Sequence, residues 1–349
     1  MRAPFVWFGG KRRVAPEVWA ALGDVPNYIE PFAGSLAVLL GRPHDMSNGT
    51  RRAETVNDAD GFLANFWRAL AHDPEAVAHW CDWPVNEVDL FARHLWLVNT
   101  GRSRLLEGME ADPDFYDAQV AGWWVWGVNA WIGSGWCSGD GPWVDTGDGI
   151  GKRPHLGDAG QGVKRQLPHL GTAGQGVNRQ LPHLGDAGRA GYNNMEYRPN
   201  VLGYFEELAG RLRDVRVCCG DWSRVCTRGA MSYGSKVGVF LDPPYLGDVR
   251  AADLYAVDDH TISHAVRDWC LEHGDDPRLR IVLAGYRAEH DDLMPDTWRR
   301  HYYSASVAYS TTESAARQDG NHANRANEVL WFSPHCVTPD RQGELWEAL

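Results

Sequence analysis

The stretch VGVFLDPPYLGD, Val237 to Asp248, decides the fold. Val237, Val239, Phe240 and Leu241 form a short apolar run, the mark of a buried strand, and the run stops at Asp242. Pro243 and Pro244 cannot continue a ladder, because each lacks the N–H a central strand must donate. An acid, two stiff residues and the ring of Tyr245 therefore stand at the end of a core strand. Working outward, NYIEPFAGS reads as a strand entering a tight turn, with LAVLLG opening a helix. RRAETVNDAD is a second strand ending at Asn57 and Asp58. From Gly61 to Thr100 the apolar spacing is helical, through Phe62, Phe66, Leu70, Val77, Trp80, Leu90, Leu95 and Val98. YFEELAGRLRDVRVCCGD is a helix followed by a strand ending at Asp221. A helix around HTISHAVRDWCLEH and strands RIVLAGY and NEVLWF complete the pattern. Strands alternating with helices predict an α/β domain with a mainly parallel sheet.

The chain has 349 residues, 44% of them hydrophobic, enough for one large domain or two ordinary ones. A formal net charge of -12 excludes a wholly basic nucleic-acid binder, although a local basic surface can still bind phosphate. No apolar run approaches the length of a membrane span, so no membrane partner is expected. The start, MRAPFVWFGGKRR, lacks the apolar core of a secretory signal. Seven cysteines without a C-x-x-C spacing fit reduced thiols in a cytoplasmic protein, not disulfides or zinc. Several of the 17 tryptophans cluster in AGWWVWGVNAWIGSGWCSGDGPW. A packed core is the favoured reading there, over a surface that stacks on bases.

One segment breaks the α/β rhythm. His155, His169 and His183 mark a repeat of period 14, rich in Gly and Pro and poor in large apolar residues. It reads as a loop-rich insertion or arm. Lys152, Arg153, Lys164, Arg165, Arg179, Arg189 and Arg198 are opposed only by Asp158, Asp186 and Glu196. This local positive charge within an acidic chain makes the segment a candidate DNA contact, the alternative being a solvated face. No second ligand type recurs beside the histidines, so metal is not expected.

Four short stretches carry chemistry. In WFGGK, Trp7 and Lys11 flank two glycines that allow close approach of the backbone, and Lys11 supplies a cation. Its spacing is not that of a phosphate-binding P-loop. EPFAGS, Glu30 to Ser35, lies at a strand's C-terminal end, where open α/β sheets place ligands. Small Ala33 and Gly34 let backbone N–H groups of the turn face a cofactor. Asp58 and Asp221, the latter followed by Trp222, are further strand-end acids. Each alone reads as a helix N-cap, but together they point to a nucleoside cofactor. Asp242 and the Pro243 carbonyl suit a conjugated exocyclic amine, as in adenine or cytosine. They can accept its two N–H bonds and localise its lone pair for attack on a methyl group, the prolines holding the carbonyl rigidly. Tyr245 can stack on the base, which must first leave the duplex.

WFGGK, YIEPFAGSLAV, NDAD and FLDPPY, in this order, resemble the Dam-type DNA adenine-N6 methyltransferases, which use S-adenosyl-L-methionine. The resemblance runs from Trp7 to Phe332, interrupted by the repeats. It implies a Rossmann-like methyltransferase mixed sheet with helices on both faces, plus a smaller recognition domain carrying the Gly-rich insertion. Residues 1–60 and 200–349 are then the catalytic domain, and 61–199 the recognition region with its insertion at 151–190. By motif position Trp7 and Lys11 lie at the methionine end of the cofactor. Glu30, Pro31, Phe32, Ala33, Gly34 and Ser35 line the cofactor turn, Asp58 binds ribose, and Asp221 with Trp222 sits near the adenine. Asp242, Pro243, Pro244 and Tyr245 are catalytic. The implied partner is double-stranded DNA, with a monomer or weak dimer as the acting species, and no metal is needed because the sulfonium already makes its methyl group electrophilic.

The recognition half departs from the family. Members typically carry N-R-x-x-(F/Y)-N-G-L-x-R, whereas this chain has NAWIGSGWCS. Asn129 and Gly135 match, while Ala130, Ser134 and Ser138 replace an arginine, an asparagine and a second arginine. The repeat arm is the expected substitute for the lost phosphate contacts. Other readings are a cytosine-N4 or RNA-adenine target, transfer of a variant group, or a silent DNA-binding relative; the intact D-P-P-Y argues against the last.

Overall fold

The computed structural model describes residues 1–5, 7, 10–43, 51–131, 136–137, 143–145, 150–152, 201–244, 259–303 and 328–338, the side chains of 143–145, 150–152 and 259–261 excepted. The repeat histidines and Arg153, Lys164, Arg165, Arg179, Arg189, Arg198 and Tyr245 lie outside these residues. Contacts group the chain into two compact units, one of residues 1–8 and 58–220, the other of 9–57 and 221–349.

The first unit is mainly helical: α3 (Gly61–His72), α4 (Pro74–Cys81), α5 (Glu87–Trp96), α6 (Arg102–Ala111), α7 (Ala118–Ala130) and α8 (Val201–Leu212). A π-turn, Leu97–Gly101, joins α5 to α6. Capping side chains set the starts. Asp60 accepts from Phe62 and Leu63 N–H, Asn86 from Asp89 N–H, and Asp117 from Val120 N–H. The unit also holds the antiparallel pair β3 (Trp143–Asp145) and β4 (Ile150–Lys152), and β5 (Val215–Cys219). Its core is aromatic: Phe5 packs edge-on against Phe66 and Trp124, and Phe66 against Trp67. The tryptophan-rich stretch is largely core, as its packing reading predicts, with Trp124 and Trp126 each 2% exposed. Two helical glycines make room for it. A Cβ on Gly122 would lie 2.3 Å from Trp80 Cβ, and one on Gly127 1.7 Å from the Trp136 ring.

In the second unit lie β1 (Asn27–Glu30), β6 (Val237–Leu241), β7 (Leu279–Tyr286), β8 (Arg299–Tyr303) and β9 (Glu328–Phe332), with β2 (Ala53–Asp58) ending at its boundary. The sheet has seven strands in the order β5-β2-β1-β6-β7-β9-β8. β2, β1, β6 and β7 run parallel, and β9 runs antiparallel to both its neighbours, β7 and β8. The central strands are buried on both faces, which is why they read as continuous apolar runs. β8, RRHYY, escapes sequence reading because it is a half-exposed edge strand without apolar alternation.

Helices cover both faces, as strand parity shows. Tyr28, Gly238, Arg280 and Val282 share one face by register. Helix α1 (Ala15–Leu22) packs there: Trp19 meets Tyr28 at 4.7 Å, and a Cβ on Gly238 would lie 3.3 Å from Leu22. Gly285 points the opposite way, toward His290 of the short α10 (Arg287–His290). There Ser263 of α9 (Asp259–His273) lies 3.3 Å from His290 Nε2. The fold is thus a mixed seven-stranded α/β sheet with helices on both faces.

Candidate active site

The parallel strands β1, β2 and β6 end on one edge of the sheet, and the strand-end acids of the sequence follow from that. β6 stops at Leu241, so Asp242 leaves the ladder at its carboxyl end, with Pro243 buried behind it. A single-turn 3-10 helix, Lys11–Arg13, precedes α1 and delivers Lys11 to the same place. Lys11 Nζ lies 3.0 Å from Asp242 Oδ1, the side chains being 5% and 19% exposed. Charge-assisted contacts of this kind fix orientation as well as energy.

Glu30 ends β1 and is 2% exposed. Its Oε2 accepts from Tyr28 Oη at 2.9 Å, two residues back on the same strand face. Burial pushes the Glu30 carboxyl up to about 8, against the opposing bonds from Tyr28 and the Leu39 backbone, with the Asp242 and Glu54 charges adding to the rise. The neighbouring tyrosine is likewise raised well above its ordinary value, first by burial and then by Glu30. The turn after β1 is unusual: Gly34 has φ 46° and Leu36 φ 54°, a left-handed bend that a side chain makes costly. Not all of its N–H groups face outward as the sequence suggests. Ala33 N–H donates to Asn57 O at 2.8 Å, and Asn57 Nδ2 donates to Pro31 O at 3.0 Å, tying the turn to β2. Ser35 is 7% exposed and Phe32 half-buried. The Phe32 ring stacks on Trp222 at 6.2 Å and 26°, which brings EPFAGS and CCGDW together.

Asp221 caps the short helix Trp222–Val225, accepting from Ser223 N–H at 2.9 Å, so the capping reading of this acid holds locally. In the first unit, Asp58 Oδ1 accepts from Asp60 N–H at 2.9 Å, and Asp60 rather than Asp58 caps α3. Trp7, also of that unit, packs its ring on Phe5 and Trp124 at 5.9 and 6.1 Å. Asn129, on α7, donates to Val125 O and Pro4 O. Lys152 closes β4. Among the described residues no group of three His, Cys, Asp or Glu could hold a metal ion, and no helix is long and apolar enough to cross a membrane. The seven cysteines are thiols, none of them joined in a disulfide among the described residues.

Sequence reading missed Glu328, a buried acid at the head of β9, and the tyrosines that serve these acids. The available signal for Glu328 was a charged residue opening an apolar strand, NEVLWF.

Asp242, Glu30 and the Phe32–Trp222 pair thus lie at the carboxyl edge of the parallel strands. Residues 7–85 match the family model of the D12 class N6 adenine-specific DNA methyltransferases. The match agrees with the Dam-type resemblance and supports an enzyme of adenine-specific DNA methylation. It covers WFGGK, EPFAGS and NDAD but ends before D-P-P-Y. A search of curated proteins finds no match to the chain.

Proposed function

We propose that the chain transfers a methyl group from S-adenosyl-L-methionine to the N6 amine of an adenine flipped out of duplex DNA. The observation that carries this reading is the Lys11–Asp242 pair at the carboxyl end of β6. It holds an acceptor at the strand end where a flat base amine needs one.

The residues present fit the cofactor chemically. A diol and a purine call for hydrogen-bonding carboxyl groups and an aromatic slot; Glu30, Asp221 and the Phe32–Trp222 pair of the second unit provide them. The turn that carries Phe32 bends left-handed at Gly34, a conformation glycine adopts without strain. When bound, the cofactor supplies an electrophilic methyl group, so no metal is required. Asp242 and the Pro243 carbonyl accept the amine's two N–H bonds, keeping its lone pair directed at the methyl group. Tyr245 stacks on the extruded base. Lys11 balances the charge of Asp242 and fixes its rotamer. Asn129, Lys152 and the basic residues of the 151–198 segment grip the duplex.

Incubation with the cofactor and DNA of mixed sequence, followed by nucleoside mass spectrometry, tests the reading. N6-methyladenine in DNA is the expected product. N4-methylcytosine, or methylated adenine only in RNA, would transfer the reading to another amine.

A further inference from the structure

Glu328 opens β9 and is 5% exposed. Because β9 runs antiparallel to β7, its beginning lies at the edge where β1 and β6 end. Glu328 pairs in register with Tyr286 on one side and Tyr303 on the other. Strand alternation then assigns it a face. Tyr286, Ala284 and Val282 share parity, Val282 pairs with Phe240, and Asp242 follows two residues later. The same parity passes through Gly238 to Tyr28 and Glu30. Glu30, Asp242 and Glu328 therefore stand on one face of the sheet, the face that α1 covers and from which Lys11 enters.

A carboxylate buried at a strand head is unfavourable unless cations or donors meet it. Burial does raise the proton affinity of Glu328. The Lys11 ammonium and the nearby Tyr303 hydroxyl oppose that rise, and the Asp242 charge adds to it. Lys11 is thus ion-paired with Asp242 and its charge is also felt at Glu328, on the same face and edge of the sheet, and only Asp242 belongs to the D-P-P-Y motif.

We infer that Glu328 is a positioning residue: it steadies the Lys11 ammonium between two carboxylates and thereby holds Asp242 in the orientation from which it accepts the target amine. The inference rests on the methylation reading for its catalytic consequence. Its structural half stands apart, since Lys11 is held in the free protein. Glu328 makes no contact with the base in this account, and its effect passes through Lys11.

Two measurements on the full chain test it. The chain carries Lys11, Lys152, Lys164 and Lys236 as its lysines, so the Lys11 ammonium can be assigned by NMR against a K11R control. In wild-type protein its protons should exchange slowly, and in E328Q about tenfold faster or more. In methyl transfer, E328Q should lower kcat by about 10- to 100-fold, with KM for DNA and cofactor affinity unchanged within about twofold. E328D, which keeps the charge, should recover part of kcat. Unchanged ammonium exchange and kcat in E328Q would overturn the inference, as would equal losses in E328Q and E328D. If wild-type protein methylates nothing, the methylation reading fails, and the ammonium exchange still decides whether Glu328 holds Lys11. Should E328Q not fold, E328D alone must show the faster exchange and lower kcat in smaller degree.

Discussion

Lys11 Nζ and Asp242 Oδ1 lie 3.0 Å apart, joining the first motif of the chain to one more than 200 residues later. Both belong to the same compact unit, and the lysine side chain is almost fully enclosed. Removing a charge from water is unfavourable without a partner, so each member of this pair constrains the other.

The first prediction concerns the acid. Asp242→Asn keeps the size of the side chain but removes its charge. Methyl transfer should fall by about 1,000-fold, the scale of losing a preorganised electrostatic group. Cofactor affinity, read by calorimetry, should change by less than about threefold. A variant that turns over at the wild-type rate would remove Asp242 from the mechanism.

The second concerns its partner. Lys11→Met leaves Asp242 without this cation and should slow transfer by about 100-fold. Stability should fall by about 1–3 kcal/mol, less than for a fully buried pair because Asp242 retains some solvent contact. Lys11→Arg keeps the charge but is broader and planar, so its rate should lie between the two. Single-turnover assays and urea unfolding separate the effects; equal rates for all three proteins would make the pair purely structural.

Glu30 makes stability depend on pH. Its folded value, about 8, lies above the ordinary carboxylate value of 4.5. The folded state therefore holds a proton that the unfolded state has released. The associated stabilisation is full below pH 4.5, declines as pH rises through that window, and is gone above about 8. Its size is on the order of a few kcal/mol. Glu30→Gln should flatten this part of the profile, seen as a smaller loss of melting temperature between pH 5 and 8. Parallel profiles for the two proteins would assign the dependence elsewhere.

A glycine in β6 tests the packing of the sheet. A Cβ on Gly238 would come within 2.9 Å of Val25 Cγ2 and 3.3 Å of Leu22 Cδ1. Gly238→Val should destabilise by about 1–3 kcal/mol through overpacking, despite the higher strand preference of valine. Chemical unfolding measures this directly, and a neutral or stabilising result would mean that α1 can withdraw from the sheet.

Much of this architecture was legible in the residues. β1, β2, β6, β7 and β9 fall where apolar runs and their acidic ends predict them, because central parallel strands are buried on both faces and must be apolar throughout. The acids stood out for the complementary reason, that a charge at the end of such a run needs a purpose. β8 was not legible, since an edge strand open to solvent carries no such pattern. Nor was Glu328, because an acid opening a strand looks the same in sequence whether it meets solvent or lies buried.

The sequence by itself determined the order of strands and helices, the identity of the acids and the turn residues, all of which depend on local pattern and side-chain chemistry. Tertiary structure alone decided which acids share a face, that Tyr28 serves Glu30, and that Lys11 turns to Asp242. Those relationships depend on strand order and register, and register is set by packing across the sheet rather than by neighbours along the chain.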